Sequence, residues 1–275
     1  MKLLSNTLYI VSTPIGNLED ITLRAINVLK NSDIILCEDT RHSIKLLNHL
    51  SIKKKLIPYH KFNEKKQIRF IIEHINQGKI LSLVSDAGTP LLSDPGKVIV
   101  NECLKKNISV VPIPGVSSIT AAMSISGFSD KFLFYGFLPK TEKKIDTILN
   151  SLSLIDHSII FFIPSVKTDF YFKKFNEFFS GRKIMIAKEI TKVHEEFIRD
   201  EVKNLKTLKK PLISKGEITV VVSENNIKAI QFDKEKIINK AKIYLKKYSL
   251  KDTVDLIIKS EKIKKKKKFT AYVSN

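Results

Sequence analysis

Short apolar segments alternate with longer amphipathic segments along the first part of the chain. The short runs, rich in β-branched residues, predict strands at 8–11, 33–37, 79–84 and 108–113. The segments between them carry apolar residues at helical spacing and predict helices at 20–31, 64–77 and 93–106. Strands that alternate with helices are typical of a largely parallel sheet with helices on both faces. The pattern therefore predicts an α/β domain.

The alternation continues beyond residue 130 and then gives way to a basic segment. Further strands are predicted, with helical segments between them, at 132–139, 158–163, 183–190 and 217–223. From about Asp233, two lysine-rich helices at 234–250 and 251–263 lead into the five-lysine run Lys264–Lys268. We therefore expect two α/β domains and a small basic helical appendage, with a hinge near 113–130 and boundaries at 1–115, 116–228 and 229–275.

Charge and composition narrow the range of partners. The chain has 275 residues and a formal net charge of +20, which favours approach to a phosphate backbone. Lysine, isoleucine and asparagine are abundant throughout, so the composition expected of an AT-biased genome accounts for part of this excess. No apolar run approaches the roughly 20 residues that a membrane-spanning helix needs, and Cys37 and Cys103 each lie in an apolar stretch. These features predict a cytoplasmic protein without a membrane partner.

Several common ligand motifs are missing from the sequence. Neither GxxxxGK(S/T) nor GxGxxG occurs, which argues against P-loop nucleotidases and against most dinucleotide-dependent enzymes. There is no CxxC pair and no HExxH, and His194 has no second histidine four residues later. We therefore predict no metal site.

Three loops follow predicted strands directly, where an open α/β sheet binds its ligands. They are "STPIGN" at 12–17, "CEDTRH" at 37–42 and "SDAGTP" at 85–90. Each loop taken alone is equally well explained as a turn with a helix cap. Because all three fall at one edge of the same predicted sheet, we expect them to form a pocket.

The chemistry of these loops indicates the kind of ligand. Asp86 would repel a phosphate and suits an ammonium group, a sulfonium group or a sugar hydroxyl. Gly115 permits close approach, and Ser117 with Ser118 begins a helix whose free N–H groups can receive a carboxylate or a ring nitrogen. A zwitterionic ligand with a cationic centre fits both halves.

The segment "LLSDPG" at 91–96 is interpreted as a helix start without ligand chemistry of its own. Ser93 or Asp94 is predicted to cap the helix at 93–106, with Pro95 in its first turn. On this interpretation, Asp94→Ala should cost about 1 kcal/mol of helix capping.

Five segments together carry a resemblance to a known family. They are "LYIVSTPIGNLEDITLRA", "EDTRH", "LVSDAGTPLLSDPG", "PIPGVSSITAAMSISGF" and "FYGFLP". In this order they resemble the tetrapyrrole-methylase superfamily, most closely its ribosomal RNA small subunit methyltransferase I branch, over residues 7–225. The resemblance implies two α/β domains with a ligand cleft between them, S-adenosylmethionine as the cofactor and a homodimer. It also implies methyl transfer to the ribose 2'-hydroxyl of a cytidine in the decoding region of 16S ribosomal RNA.

The resemblance also implies which residues contact the cofactor. They are Pro14, the loop residues Asp86, Ala87, Gly88, Thr89 and Pro90, the turn Ser117, Ser118 and Ile119, and the backbone near Phe162 and Glu217. One segment departs from the branch, which has a Tyr-Glu-Ser-x-His-Arg pattern where this chain reads "FFIPSVK". Ile163, Val166 and Lys167 occupy the acidic, histidine and arginine positions, so the roles of those family residues are not carried over.

A ribose hydroxyl is a weak nucleophile, so a nearby base would help its methylation. The candidates are Glu38 and Asp39 in "CEDTRH" or Lys188 and Glu189 in "AKEI", although an ion-paired network at a strand end is the more common explanation for either pair. Arg41, whose fork suits phosphate oxygens, and His42 are expected to bind RNA within an assembled small ribosomal subunit. Two alternatives stay open: a methyltransferase of the same fold acting on a small tetrapyrrole-like metabolite, and a non-catalytic ribosome-binding protein.

Overall fold

A computed structural model describes residues 3–207, 217–225 and 234–260 of the chain. It divides into two compact units, at 1–225 and 226–275. The first unit contains two five-stranded sheets, and the second unit contains a helical pair.

The first sheet is entirely parallel, with the strand order β3-β2-β4-β1-β5. Its strands are β1 (Thr7–Val11), β2 (Ile34–Cys37), β3 (Lys55–Pro58), β4 (Ile80–Val84) and β5 (Ser109–Ile113). The helices are α1 (Leu23–Asn31), α2 (Thr40–His49), α3 (Glu64–Asn76) and α4 (Lys97–Lys105).

Alternate side chains of the central strands enter separate cores on the two faces of this sheet. Leu8 and Leu81 pack with Ile71 on one face, and Tyr9 packs with Val28 on the other. This arrangement follows from the two-residue period of a strand. It confirms the predicted parallel sheet with helices on both faces.

The second sheet is mixed, with the order β6-β7-β10-β8-β9. Only β6 and β7 are parallel, and the other three pairs are antiparallel. Its strands are β6 (Phe132–Phe137), β7 (Ser158–Pro164), β8 (Lys183–Lys188), β9 (Glu196–Glu201) and β10 (Glu217–Val222). The helices are α5 (Ser118–Ser126), α6 (Glu142–Leu152) and α7 (Thr168–Phe179).

Helix α5 follows the last strand of the first sheet but packs on the second sheet. Its Ile119 and Ala122 share a core with Ile160, Met185 and Val221. This packing supports the proposed domain boundary after residue 115, which we retain together with the proposed boundary after residue 228.

Two strands, one helix and one helix start differ from the sequence prediction; the helix is α2, which follows the loop at 37–42 and was not predicted. The unpredicted strands β3 and β9 are the edge strands of their sheets and expose polar side chains, so their apolar pattern is weak. Helix α4 begins at Lys97 with Gly96 as N-cap, so the prediction that Ser93 or Asp94 caps it was wrong. The backbone before it is not helical, because Leu91, Ser93 and Gly96 have φ angles of 73°, 75° and 134°.

The second unit contains α8 (Lys234–Leu245) and α9 (Leu250–Ser260), as the lysine-rich pattern predicts. Ser249 caps α9, because its hydroxyl accepts a hydrogen bond from the N–H of Asp252 at 3.2 Å. The run Lys264–Lys268 lies outside the described residues. Within the described ranges, no helix is long and apolar enough to cross a membrane.

Candidate active site

The loops after β1, β4 and β5 are joined at the carboxyl edge of the first sheet. Thr13 and Gly88 exchange two backbone hydrogen bonds of 2.9 and 3.0 Å. The hydroxyls of Ser12 and Thr89 lie 2.9 Å apart, and Thr89 donates to the carbonyl of Val116 at 3.2 Å. The predicted loops at 12–17 and 85–90 therefore meet each other and the turn that precedes α5.

Two glycines permit this close approach. Gly88 has a φ of +77°, which side-chain-bearing residues rarely adopt. A Cβ at Gly115 would lie 2.8 Å from the Cβ of Ser12, closer than packed carbon atoms allow. The sequence predicts that Gly115 permits close approach of a ligand. In the structure, the missing side chain of Gly115 permits the close approach of Ser12.

Asp86 links this group of loops to the start of α2. Its Oδ1 accepts a hydrogen bond from the N–H of Asp39 at 3.0 Å, and its Oδ2 lies 3.3 Å from Nδ1 of His42. A third of the Asp86 side chain is still exposed. The carboxylate is therefore oriented by the protein and accessible to a cationic ligand, which is the chemistry that the sequence predicts for it.

Asp39 and Arg41 form a local pair. Asp39 caps α2 by accepting from the N–H of Arg41 at 2.8 Å, and the guanidinium donates to both of its carboxylate oxygens. These bonds hold the pKa of the Asp39 carboxyl far below its usual range. Asp39 is therefore a poor proton acceptor, whereas Arg41 remains 86% exposed beside it.

The pKa values of Glu38 and Asp94 are raised, whereas that of Asp39 is lowered. Burial and the charge of Asp86 raise the pKa of Glu38. Burial and the charges of Glu38, Glu217 and Asp86 raise the pKa of Asp94 to about 6, although a hydrogen bond with Ser85 opposes the shift. The pKa of Glu217 is raised by desolvation and by the charge of Glu38. We call Glu38, Asp86, Asp94 and Glu217 the carboxylate group; such a group favours a cation.

The carboxylate group includes residues of both sheets because the carboxyl edge of the first sheet faces the second sheet. A Cβ at Gly16 would lie 2.5 Å from Cγ of Lys192, and the N–H of Asn17 donates to Oγ1 of Thr191 at 3.1 Å. Ser93 likewise lies against Gly136 of β6, where a Cβ would be 2.8 Å from Oγ. We refer to this region as the facing edges.

Lys188 and Glu189, the second pair of candidate bases, form ion pairs with nearby side chains. Nζ of Lys188 lies 3.9 Å from Oε2 of Glu196, and Glu189 pairs with Lys192 at 3.1 Å. Glu189 also has a φ of 51°. The alternative left open for this pair, an ion-paired network at a strand end, describes the observed contacts.

The remaining predicted cofactor residues lie around the facing edges. Pro14, Pro90 and Ile119 are buried, and Ala87 is exposed. Ser117 is the N-cap of α5 but makes no side-chain capping hydrogen bond, so the first N–H groups of α5 are not bonded to its side chain. Ser118 is the first helical residue, and Phe162 packs against Phe134 and Phe137 at 5.1 and 5.4 Å.

In the divergent segment "FFIPSVK", one of the positions that differ from the family pattern is buried and two are exposed. Ile163 is fully buried in the core between the second sheet and its helices. Val166 is 81% exposed, and Lys167 is exposed beside it, in the turn before α7. The substituted positions therefore contribute packing at one site and a single positive charge at another.

Sequence reasoning assigned Asp94 to helix capping and missed its place in the carboxylate group. A local signal was present, since a second Ser-Asp pair follows "SDAGTP" in the same loop. The charges that distinguish Asp94 come from Glu38 and Glu217, which are remote in sequence. Among the described residues, no group of three or more His, Cys, Asp or Glu side chains is arranged to hold a metal ion.

The Asp94→Asn variant tests this reassignment through pH. A folded-state pKa of about 6 exceeds the unfolded value of about 3.9, so between these pH values the folded state holds the proton more tightly. Ionisation of Asp94 therefore destabilises the fold as pH rises. Because asparagine cannot ionise and can still accept a hydrogen bond, we expect Asp94→Asn to raise Tm near pH 8 and to leave it unchanged near pH 4.

The control for this measurement is Asp130→Asn, an exposed aspartate just before β6, which should show no pH-dependent gain. A Tm that falls at every pH, as loss of a helix cap would cause, would contradict the reassignment.

Comparison with known proteins identifies the family. The family model "Tetrapyrrole (Corrin/Porphyrin) Methylases" matches residues 7–206. The chain is 43% identical over 238 residues to a ribosomal RNA small subunit methyltransferase I of Rickettsia prowazekii, with 86% of this chain and 85% of the relative covered. It is 44% identical over 220 residues to the protein of the same name from Thermotoga maritima, with 78% and 97% covered.

A solved structure supports the fold. Uroporphyrin-III C-methyltransferase from Thermus thermophilus, in complex with S-adenyl homocysteine, superposes with a TM-score of 0.56 at 15% identity and covers 79% of this chain and 97% of that chain. The chain therefore belongs to the tetrapyrrole methylase family and, within it, to the ribosomal RNA small subunit methyltransferase I group.

Proposed function

We propose that this protein is an S-adenosylmethionine-dependent methyltransferase that modifies the ribose 2'-hydroxyl of a cytidine in the decoding region of 16S ribosomal RNA. The observation that carries the proposal is the identity of 43 to 44% to two ribosomal RNA small subunit methyltransferases over 85% and 97% of their lengths. The nucleotide and the ribose position come from the family resemblance.

The residues at the facing edges fit this cofactor. When bound, S-adenosylmethionine supplies a methyl group on a positively charged sulfur and carries a second positive charge on its amino group. The carboxylate group suits those charges, since Asp86 is fixed by α2 and partly exposed. The first N–H groups of α5 suit a carboxylate. A related fold has been solved with S-adenyl homocysteine. We propose that the cofactor contacts are Pro14, Asp86 to Pro90, Ser117 to Ile119, Phe162 and Glu217.

Among the four candidate bases, Glu38 fits proton acceptance best. Its raised pKa makes its carboxylate more basic than that of Asp39, which Arg41 holds ionised. Lys188 and Glu189 are engaged with Glu196 and Lys192. Glu38 would accept the proton of the ribose hydroxyl, while the surrounding loops align the acceptor and exclude water.

Arg41 and His42 are the proposed RNA contacts at the facing edges. The guanidinium of Arg41 is exposed, and although Asp39 occupies part of its fork, its remaining donors can approach a phosphate. We propose 16S ribosomal RNA in the assembled small subunit as the partner and the cytoplasm as the location, and we expect a homodimer. The run Lys264–Lys268, outside the described residues, would add salt-sensitive affinity.

The decisive experiment incubates the purified protein with labelled S-adenosylmethionine and small ribosomal subunits that lack the modification. We expect label on a ribose of 16S ribosomal RNA, located by nuclease digestion and mass spectrometry. Label on a base would contradict the reaction. Methylation of porphyrin precursors in place of subunits would indicate a metabolite enzyme, and absence of cofactor binding up to millimolar concentration would indicate a non-catalytic protein.

Asp86→Asn tests the cofactor assignment. Asparagine can still accept a hydrogen bond from the N–H of Asp39, but it removes the negative charge. Since a hydrogen bond to a charged group is worth about 1.5 to 3 kcal/mol, we expect the Kd for S-adenosylmethionine to rise by about 10- to 100-fold in calorimetric titration. The charge-matched control Asp130→Asn should leave Kd unchanged. Equal affinities of Asp86→Asn and the unmodified protein would remove Asp86 from the cofactor site.

A further inference from the structure

An exposed aromatic ring lies at the same sheet edge as the carboxylate group. Phe62, in the turn between β3 and α3, is 81% exposed. Strand β3 ends at Pro58, so this turn leaves the sheet at its carboxyl edge, as do the loops after β1, β2 and β4. We call residues 58–63 the aromatic turn.

The aromatic turn is held by internal hydrogen bonds. The N–H of His60 donates to Oδ1 of Asn63 at 2.8 Å, and Nδ2 of Asn63 donates to the carbonyl of Pro58 at 2.9 Å. Tyr59, which is fully buried, donates its N–H to the carbonyl of Cys37 at 2.8 Å. The exposed ring is therefore carried by a backbone that is already ordered, which lowers the entropic cost of binding a ligand to it.

A lysine lies beside the exposed ring and interacts electrostatically with the candidate base, Glu38. Nζ of Lys61 lies 4.9 Å from the centroid of the Phe62 ring, and the His60 ring packs edge-on at 6.0 Å. Lys61 and His60 both interact electrostatically with Glu38. The aromatic turn therefore combines a stacking surface with a positive charge, that of Lys61, which acts on Glu38.

We infer that the aromatic turn binds an unpaired nucleotide of the RNA substrate, with its base stacked on Phe62 and its phosphate beside Lys61. An exposed aromatic ring beside a positive charge is a common means by which proteins hold single-stranded RNA. The inference rests on the proposed function, and it assigns the turn to a nucleotide next to the one that is methylated.

The experiment compares the kinetics of three variants on small subunits that lack the modification: Phe62→Ala, Phe62→Trp and the control Leu104→Ala. Leu104 is also an exposed apolar residue, at 59%, but it lies near the end of α4, at the opposite edge of the first sheet. Loss of one stacked base should raise KM for subunits by about 5- to 150-fold in Phe62→Ala, with little change in kcat. Phe62→Trp should retain the KM of the unmodified protein, and the Kd for S-adenosylmethionine should be the same in all variants.

A spectroscopic measurement tests stacking directly. The chain contains no tryptophan, so Phe62→Trp places a single tryptophan at the proposed contact, whose emission can be excited separately from that of the tyrosines. Its emission should be quenched by a short single-stranded oligoribonucleotide of the decoding-region sequence, and that of Leu104→Trp should not.

The outcomes separate this inference from the proposed function. If the unmodified protein labels small subunits but Phe62→Ala and Leu104→Ala have the same KM, the inference is wrong and the function stands. If Phe62→Ala dissociates a homodimer, the ring is a protein contact and the inference is again wrong. If the unmodified protein does not label subunits, the proposed function fails and the inference fails with it.

Discussion

We expect the Glu38→Gln variant to methylate small ribosomal subunits with kcat lowered by about 100- to 10,000-fold, the range over which a positioned base contributes to catalysis. Glutamine has nearly the same size and cannot accept the proton of the ribose hydroxyl. Because burial and Asp86 raise the pKa of Glu38, kcat of the unmodified protein should rise with pH through that raised value. Single-turnover methylation across a pH series measures both effects.

Two further variants serve as comparisons for Glu38→Gln. Glu73→Gln, on the surface of α3 and paired with Arg69, should leave kcat unchanged. Glu189→Gln should have a smaller effect than Glu38→Gln, because Glu189 is paired with Lys192. A larger loss in Glu189→Gln, with a pH profile that persists in Glu38→Gln, would transfer the role of base to Glu189.

The second large effect is expected at Arg182, which is 4% exposed. Its guanidinium donates to the carbonyls of Ser153, Ile155 and Ser223 at 3.0, 2.6 and 3.1 Å. It also lies over the ring of Phe179 at 5.2 Å. Arg182→Leu would remove these three hydrogen bonds and leave the carbonyl of Ser153 with only the 3.4 Å bond from Nδ2 of Asn225, so we expect the free energy of unfolding to fall by about 3 to 5 kcal/mol. Urea denaturation measures this loss.

Arg182→Lys serves as the matched variant in the same denaturation series. It keeps the positive charge, but a single ammonium group does not reproduce the planar fork that reaches several carbonyls. We therefore expect Arg182→Lys to recover only part of the lost stability. A loss below about 1 kcal/mol in Arg182→Leu, the size of one ordinary hydrogen bond, would show that these carbonyls find other partners.

The central strands and the loops that follow them could be predicted because their signals are local. Runs such as "LYIV" and "KILSLV" place apolar side chains on both faces of a strand, as a covered parallel sheet requires. The loops 12–17 and 85–90 carry the glycines and prolines of tight turns, and the structure joins them through Thr13 and Gly88. Edge strands β3 and β9 escaped prediction because a strand with one neighbour needs fewer apolar residues.

The protonation properties of the site could not be predicted from the same patterns. Asp94 was interpreted as a helix cap because serine, aspartate and proline before an apolar run usually mark a helix start. The left-handed φ angles of Leu91 and Ser93 delay the helix to Lys97. In consequence, the Asp94 carboxyl is close to Glu38 and Glu217, and a neighbouring carboxylate raises a pKa only through proximity in space.

The sequence by itself determined the α/β class, the parallel first sheet and the loops at its carboxyl edge, and it predicted that Asp86 prefers a cation. These properties depend on side-chain periodicity, turn residues and the charge of single groups, all of which are encoded within short segments. Only the tertiary structure decided that the second sheet is mixed and that Asp39 is engaged by Arg41, whereas Glu38 has a raised pKa. It also decided that Phe62 is exposed, in a turn whose Lys61 interacts electrostatically with Glu38. Each of these depends on which distant segments fold against one another, because burial and electrostatic interaction are functions of distance in space.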